Sequence, residues 1–182
     1  MQVKAISSLV LFLVGSTLAV AEVGAPGREE LVKFLVKAKM NTYASQGDEA
    51  TVKSPLLPDT HQLEYSEGPF FYRDIYTGNA TFAGHEIVYF KGKSVWTMSY
   101  AGDIPASVSK QDVDAVVKLL HKALMRIPAE IPYRGPLQLQ DSAYTYSNRP
   151  EGRLDSFFGR ETIVIRGGRV LYELRYGGGL VR

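Results

Sequence analysis

An α+β fold is predicted by three features of this 182-residue chain: two segments with helical spacing of apolar residues, several with strand-like alternation, and a repeat relating its two halves. The predicted architecture is an internally duplicated helix plus antiparallel strands, with two helices packed on one face of a curved antiparallel sheet. Composition agrees with one globular domain, since 45% of residues are hydrophobic and 22% are charged.

Residues 1–21 read as a signal peptide. Lys4 precedes an apolar run from Leu9 to Val14, and Ala19-Val20-Ala21 supplies small residues for cleavage. The run is too short for a transmembrane helix, which needs about 20 apolar residues. The expected product is exported, to the periplasm or the extracellular space, with no stable membrane insertion once the signal is cleaved. Residues 22–27 form a short tether rich in Gly and Pro. Residues 28–182 then make one domain of two similar halves, about 28–103 and 109–182.

In the first half, Leu31, Phe34, Leu35 and Ala38 fall at i, i+3, i+4 and i+7, which predicts a helix from Arg28 to Met40 with Glu29 and Glu30 in its first turn. Pro55 and Pro58 interrupt the connection that follows. Strands are expected over 61–67 and 70–76. Ile87 to Phe90 pairs across Lys91-Gly92-Lys93 with Val95 to Tyr100, whose Trp96, Met98 and Tyr100 share one face.

The second half repeats this order. Ser109 and Asp112 form an acidic variant of the capping box, and Val113, Val116, Val117, Leu120, Leu124 and Ile127 trace an apolar stripe that ends at Pro128. Strands are expected over 137–140 and 143–147. A hairpin then turns at Arg166-Gly167-Gly168, with Tyr172, Leu174 and Tyr176 on one face. Phe82-Ala83-Gly84-His85-Glu86 matches Phe157-Phe158-Gly159-Arg160-Glu161 at a spacing of 75 residues. An extra residue near Thr162 then shifts the spacing to 76, as a β-bulge would. The Gly177-Gly178-Gly179 run reads as a flexible terminus.

Several function classes are excluded or left without a signature. A net charge of +2 gives no basic footprint for nucleic acid, and the absence of cysteine removes disulfides, thiol chemistry and Fe–S clusters. His61, His85 and His121 show no metal-ligand spacing, no serine nucleophile motif is present, and no cofactor is implied. Glu86 and Glu161 occupy matching places and are the only candidates for paired catalytic carboxylates. As structural groups they would instead accept backbone N–H bonds at a bulge or pair with Arg73 or Arg160.

Tyr72, Asp74 and Tyr76 share one strand face, with Tyr144 and Tyr146 in the corresponding part of the second half. Arg73 and Arg134, with Arg175, could supply a fork for an anionic ligand group. Tyrosine combines apolar area with a hydroxyl tip, so these residues predict a cleft between the sheet and the segments from Tyr43 to Tyr76. Three readings follow. The first is an exported module binding a small molecule, the second an envelope domain docking a protein partner, and the third a carboxylate-based hydrolase or isomerase.

The stretches Phe34 to Ala44, Tyr72-Arg73-Asp74, Val95 to Tyr100, Pro132-Tyr133-Arg134-Gly135-Pro136 and Tyr172 to Tyr176 together resemble an uncharacterised bacterial domain-of-unknown-function family. The resemblance runs from about Arg28 to Leu180. Members occur alone or behind helix-turn-helix DNA-binding segments, which implies a ligand-sensing module. The tether leaves no room for such a segment here, and the family supplies no active-site residues to carry over.

Overall fold

The computed structural model describes residues 24–42 and 50–181, so the expected signal peptide, residues 1–21, lies outside the described residues, as does Tyr43. Helix α1 spans Arg28–Asn41 and buries Leu31, Phe34, Leu35 and Ala38, the predicted stripe. Lys39 is buried with them. Phe34 stacks on Phe70, with ring centroids 4.7 Å apart, and tilts against Tyr65 at 6.0 Å. Each such apolar side chain removed from water contributes roughly 1.5–3 kcal/mol.

Strands β1 (His61–Glu67), β2 (Phe70–Gly78), β3 (Thr81–Phe90) and β4 (Lys93–Asp103) follow as an antiparallel meander. Helix α2 spans Lys110–Leu124, capped as expected: the Asp112 N–H donates to Ser109 Oγ at 3.2 Å. Strands β5 (Gln138–Asp141), β6 (Tyr144–Arg153), β7 (Ser156–Ile165) and β8 (Val170–Leu180) form a second meander. The two join through β4 and β8 into one open eight-stranded antiparallel sheet, ordered β1-β2-β3-β4-β8-β7-β6-β5. Both helices and the inward faces of the strands contribute to one hydrophobic cluster.

Three sequence expectations need correction. Gly177, Gly178 and Gly179 are no flexible terminus: they lie in β8, paired with Ser99, Met98 and Thr97 on one side and Phe158, Phe157 and Ser156 on the other. A Cβ on Gly178 would sit 2.0 Å from the Thr97 carbonyl oxygen, so the missing side chain is what lets β4 and β8 approach. The extra residue near Thr162 is not in β7 either. Val88 faces Trp96 and Ile163 faces Tyr172, and a register shift follows each, so the two positions correspond at a spacing of 75. The longer β7–β8 turn absorbs the extra residue. Finally, α2 does not bury its whole stripe. Of the stripe, Val116, Leu124 and Ile127 are buried, as are Leu119 and Ala123 beside it, whereas Val117 is 42% exposed.

Candidate functional site

Strand alternation puts Tyr72, Asp74 and Tyr76 of β2 on the inward face, as the sequence indicated, and puts Glu86 there from β3 and Tyr100 from β4. Asp74 pairs in register with Glu86, and Gly84 pairs with Tyr100. With no Cβ on Gly84, the Tyr100 side chain lies across it, and its hydroxyl donates to both Asp74 oxygens at 2.9 and 3.1 Å. Glu86 is fully buried and accepts from Lys39 Nζ, which α1 delivers to the sheet. The same ammonium lies 5.4 Å from the Trp96 ring centroid and 5.9 Å from that of Tyr72. Glu86 Oε1 accepts no hydrogen bond among the described residues.

Across the sheet a second cluster has the same layout. Asn148 pairs with Glu161 and Gly159 with Tyr176, whose hydroxyl donates to Asn148 Oδ1 at 2.8 Å. The Asn148 side chain donates in turn to the Gly135 carbonyl at 2.9 Å. Glu161 accepts from Arg134 at 2.7 Å, from Tyr172 at 3.3 Å and from Tyr146.

Among the described residues the buried charged groups are therefore three carboxylates, Asp74, Glu86 and Glu161, and two cations, Lys39 and Arg134. Each glutamate has its own cation, and Asp74 has none. Burial, aided by the neighbouring Glu86 charge, pushes the Asp74 carboxyl up to about 8, against the opposing pull of Tyr100, Lys39 and Arg134. Burial lowers the Lys39 amine, with Glu86 working against that shift. It also raises the Tyr100 phenol well above its ordinary range, so that hydroxyl stays a donor.

Asp74, Tyr100, Arg134 and Tyr172 are also among the residues that line a cavity of about 710 Å³. One wall is α2, through Val113, Val117, Leu120, His121 and Leu124; of these Val117 is exposed, Leu120 is half-buried against the core and Leu124 is buried. Another is the β4–α2 connection, through Ile104, Pro105, Ala106 and Val108. Tyr76, Phe82 and the β2–β3 turn (Gly78, Asn79, Ala80) complete it. The result is an apolar chamber with a few polar groups, the general character of small-molecule sites.

Of the seven ligand-site candidates from sequence, Asp74, Tyr76 and Arg134 line this cavity. Tyr72 is fully buried near Lys39, and Tyr146 is fully buried on Glu161, so neither lines it. Arg73 lies on the other face of β2, ion-paired with Glu64 at 2.7 Å. Tyr144 donates to Asp112 at 2.9 Å. Glu86 and Glu161 sit on β3 and β7 with two strands between them, and their partners are Lys39 and Arg134 in place of Arg73 or Arg160. The expected cleft beside residues 43–76 gives way to a chamber under α2. Missed by the sequence reading were Lys39, Phe82, Tyr100 and the α2 wall. Lys39 had left a signal: it stands at i+4 and i+8 from Leu35 and Leu31, on the helix's own apolar stripe.

A family model described as "Domain of unknown function (DUF5680)" matches residues 74–181. The chain belongs to this family. The match opens at Asp74, so the cavity-lining residues all fall within the DUF5680 stretch, whereas α1 with Lys39 precedes it. No curated protein and no solved structure matches the chain. Among the described residues no group of three or more His, Cys, Asp or Glu is placed to hold a metal ion, and no helix is long and apolar enough to cross a membrane.

Proposed function

We propose that this DUF5680 chain is a binding module whose small-molecule ligand occupies the chamber between α2 and the sheet, its apolar body against the α2 wall and its polar end at Asp74. The observation carrying this reading is the split role of α2. Val116, Leu119 and Ala123 pack into the core, while Val113, Val117 and Leu120, one helical face over, line a cavity of about 710 Å³ that the buried Leu124 also borders. A helix evolved only to cover the sheet would close that space, because protein interiors are packed to near-crystalline density.

Two further parts of the reading support each other. The matching registers around Asp74–Glu86 and Asn148–Glu161 favour descent of both halves from one duplicated unit, with both helices on a single sheet face. The composition of residues 1–21 favours export. In this view one copy remained a closed structural unit and the other opened into a site outside the cytoplasm.

The test is binding of the neutral apolar dye Nile red to the purified chain, followed by fluorescence. Val117→Trp, which fills the chamber from its exposed edge, is expected to weaken binding at least tenfold. Phe158→Trp, on the 58%-exposed side chain of β7, serves as the control. No saturable binding, or equal loss in both variants, would remove the proposal.

A further inference from the structure

The buried charge count says more about the ligand, given the binding reading just proposed. Taking a carboxylate out of water without a partner is strongly unfavourable, so buried charges are matched by opposite ones or neutralised. Lys39 and Arg134 are each bonded to a glutamate, and Glu161 takes two tyrosine hydroxyls besides. Among the described residues Asp74 receives only the Tyr100 hydroxyl, although a carboxylate can accept about four hydrogen bonds. Among the described residues it has no ion pair, and it lies at the cavity wall. The cluster is one positive charge short where it meets the chamber.

We propose that the ligand is an organic monocation, an ammonium group on an apolar body, with Asp74 as its counter-ion. The rings of Tyr76, Phe82, Tyr100 and Tyr172 line the same chamber, and aromatic faces attract cations. Phe82 stacks on Tyr172 at 6.5 Å and meets Tyr100 edge-on at 6.2 Å, which fixes these rings relative to the hydroxyl that donates to Asp74. An anionic ligand fits less well, because the Arg134 charge is already matched by Glu161.

Burial favours the protonated form of Asp74 when no cation is bound, and that proton offsets the missing charge. An incoming ammonium takes over that role, so Asp74 gives its proton to solvent and becomes the carboxylate of an ion pair. The charged or titratable groups around it are Glu86 from β3, Tyr100 from β4, Lys39 from α1, Arg134 after α2, and Tyr76, His121 and Tyr172 on the chamber wall. With the Asp74 carboxyl at about 8, ammonium affinity should rise about tenfold per pH unit between pH 6 and 7 and level off above 8.

Calorimetric titration of the full chain with octylammonium, 1-octanol and octanoate tests this. The expected result at pH 7 is octylammonium at least tenfold tighter than the other two, with release of close to one proton seen as a buffer-dependent heat. In Asp74→Asn the ammonium-to-octanol ratio should fall to within about threefold and the pH slope should vanish. Equal binding of all three probes would overturn the cation assignment while leaving the binding chamber standing. Preference for octanoate would overturn it in favour of Arg134 as anchor. Binding of none would remove the chamber reading itself. If Asp74→Asn does not fold, the proton release and pH slope of the unaltered chain decide the matter.

Discussion

The two polar clusters on the inward face of the sheet share a layout and differ at one carboxyl group. Asn148 is held at both ends of its amide, by Tyr176 and by the Gly135 carbonyl, and its neighbour Glu161 is held by three donors. Asp74 stands at the matching register with one donor, beside a glutamate with one unpaired oxygen, and lines a cavity. A satisfied amide makes a lock between strands and the post-α2 loop. An acid in the same place leaves a charge to be matched from outside. The comparison teaches that two clusters of one layout can differ in how many of their hydrogen-bonding groups are satisfied, and the proposed binding role rests on the cluster left more open.

The largest expected effect comes from removing the cations. Lys39→Met leaves Glu86 buried with no partner and should destabilise the chain by about 3–5 kcal/mol in urea unfolding. Arg134→Met should cost about 1–2 kcal/mol less, since Tyr146 and Tyr172 still donate to Glu161. Equal losses would break the distinction between an open and a closed cluster.

Next come the glycines beneath the tyrosines. A Cβ at Gly84 would lie 2.4 Å from the Tyr100 hydroxyl, and one at Gly159 would lie 2.3 Å from that of Tyr176. Gly84→Ala and Gly159→Ala should each destabilise by about 1–3 kcal/mol through overpacking. Only Gly84→Ala should also weaken octylammonium binding, because only Tyr100 orients the cavity carboxylate. Loss of binding in both would merge the two clusters into one site.

The third effect is on the pH dependence of stability. The Asp74 carboxyl, at about 8 in the folded chain, lies well above the value of about 4 expected when unfolded. The folded state therefore holds an extra proton between these limits. Its contribution to stability is complete below pH 4 and is lost as pH rises through 8. Asp74→Asn should flatten that decline and raise the melting temperature at pH 8.5 relative to the unaltered chain, by about 2–4 °C for each kcal/mol recovered. Asn148→Asp should steepen it. Melting curves from pH 5 to 9 with identical slopes in all three proteins would remove the role given to Asp74.

The smallest effect belongs to Arg73, on the far face of β2. Its partly exposed ion pair with Glu64 should contribute no more than about 1 kcal/mol. Arg73→Ala should leave Nile red and octylammonium binding unchanged, and any loss of affinity would show that the site extends beyond the chamber.

Much of this molecule was legible in the order of its residues. Periodicity placed both helices and the cores of β4 and β8, because apolar spacing at 3.6 or 2 reports directly which side of an element meets a core; glycine turns and the repeat located the other six strands, with β3, β6 and β7 read too short. Asp74, Tyr76 and Arg134, singled out from the sequence, line the cavity, and Glu86 and Glu161 were legible as a matched pair. Arg73 and Tyr144 were not separable from them by residue type, since partners such as Glu64 and Asp112 are brought alongside only by folding. Tertiary structure alone decided that β4 pairs with β8, which turned a glycine-rich C-terminal segment into a central strand. It decided which α2 side chains pack into the core and which border a cavity. It also decided that Lys39 reaches Glu86 while, among the described residues, no cation pairs with Asp74. Local pattern carries the direction of a side chain, but charge balance depends on distances between segments far apart in sequence, and those exist only once the chain has folded.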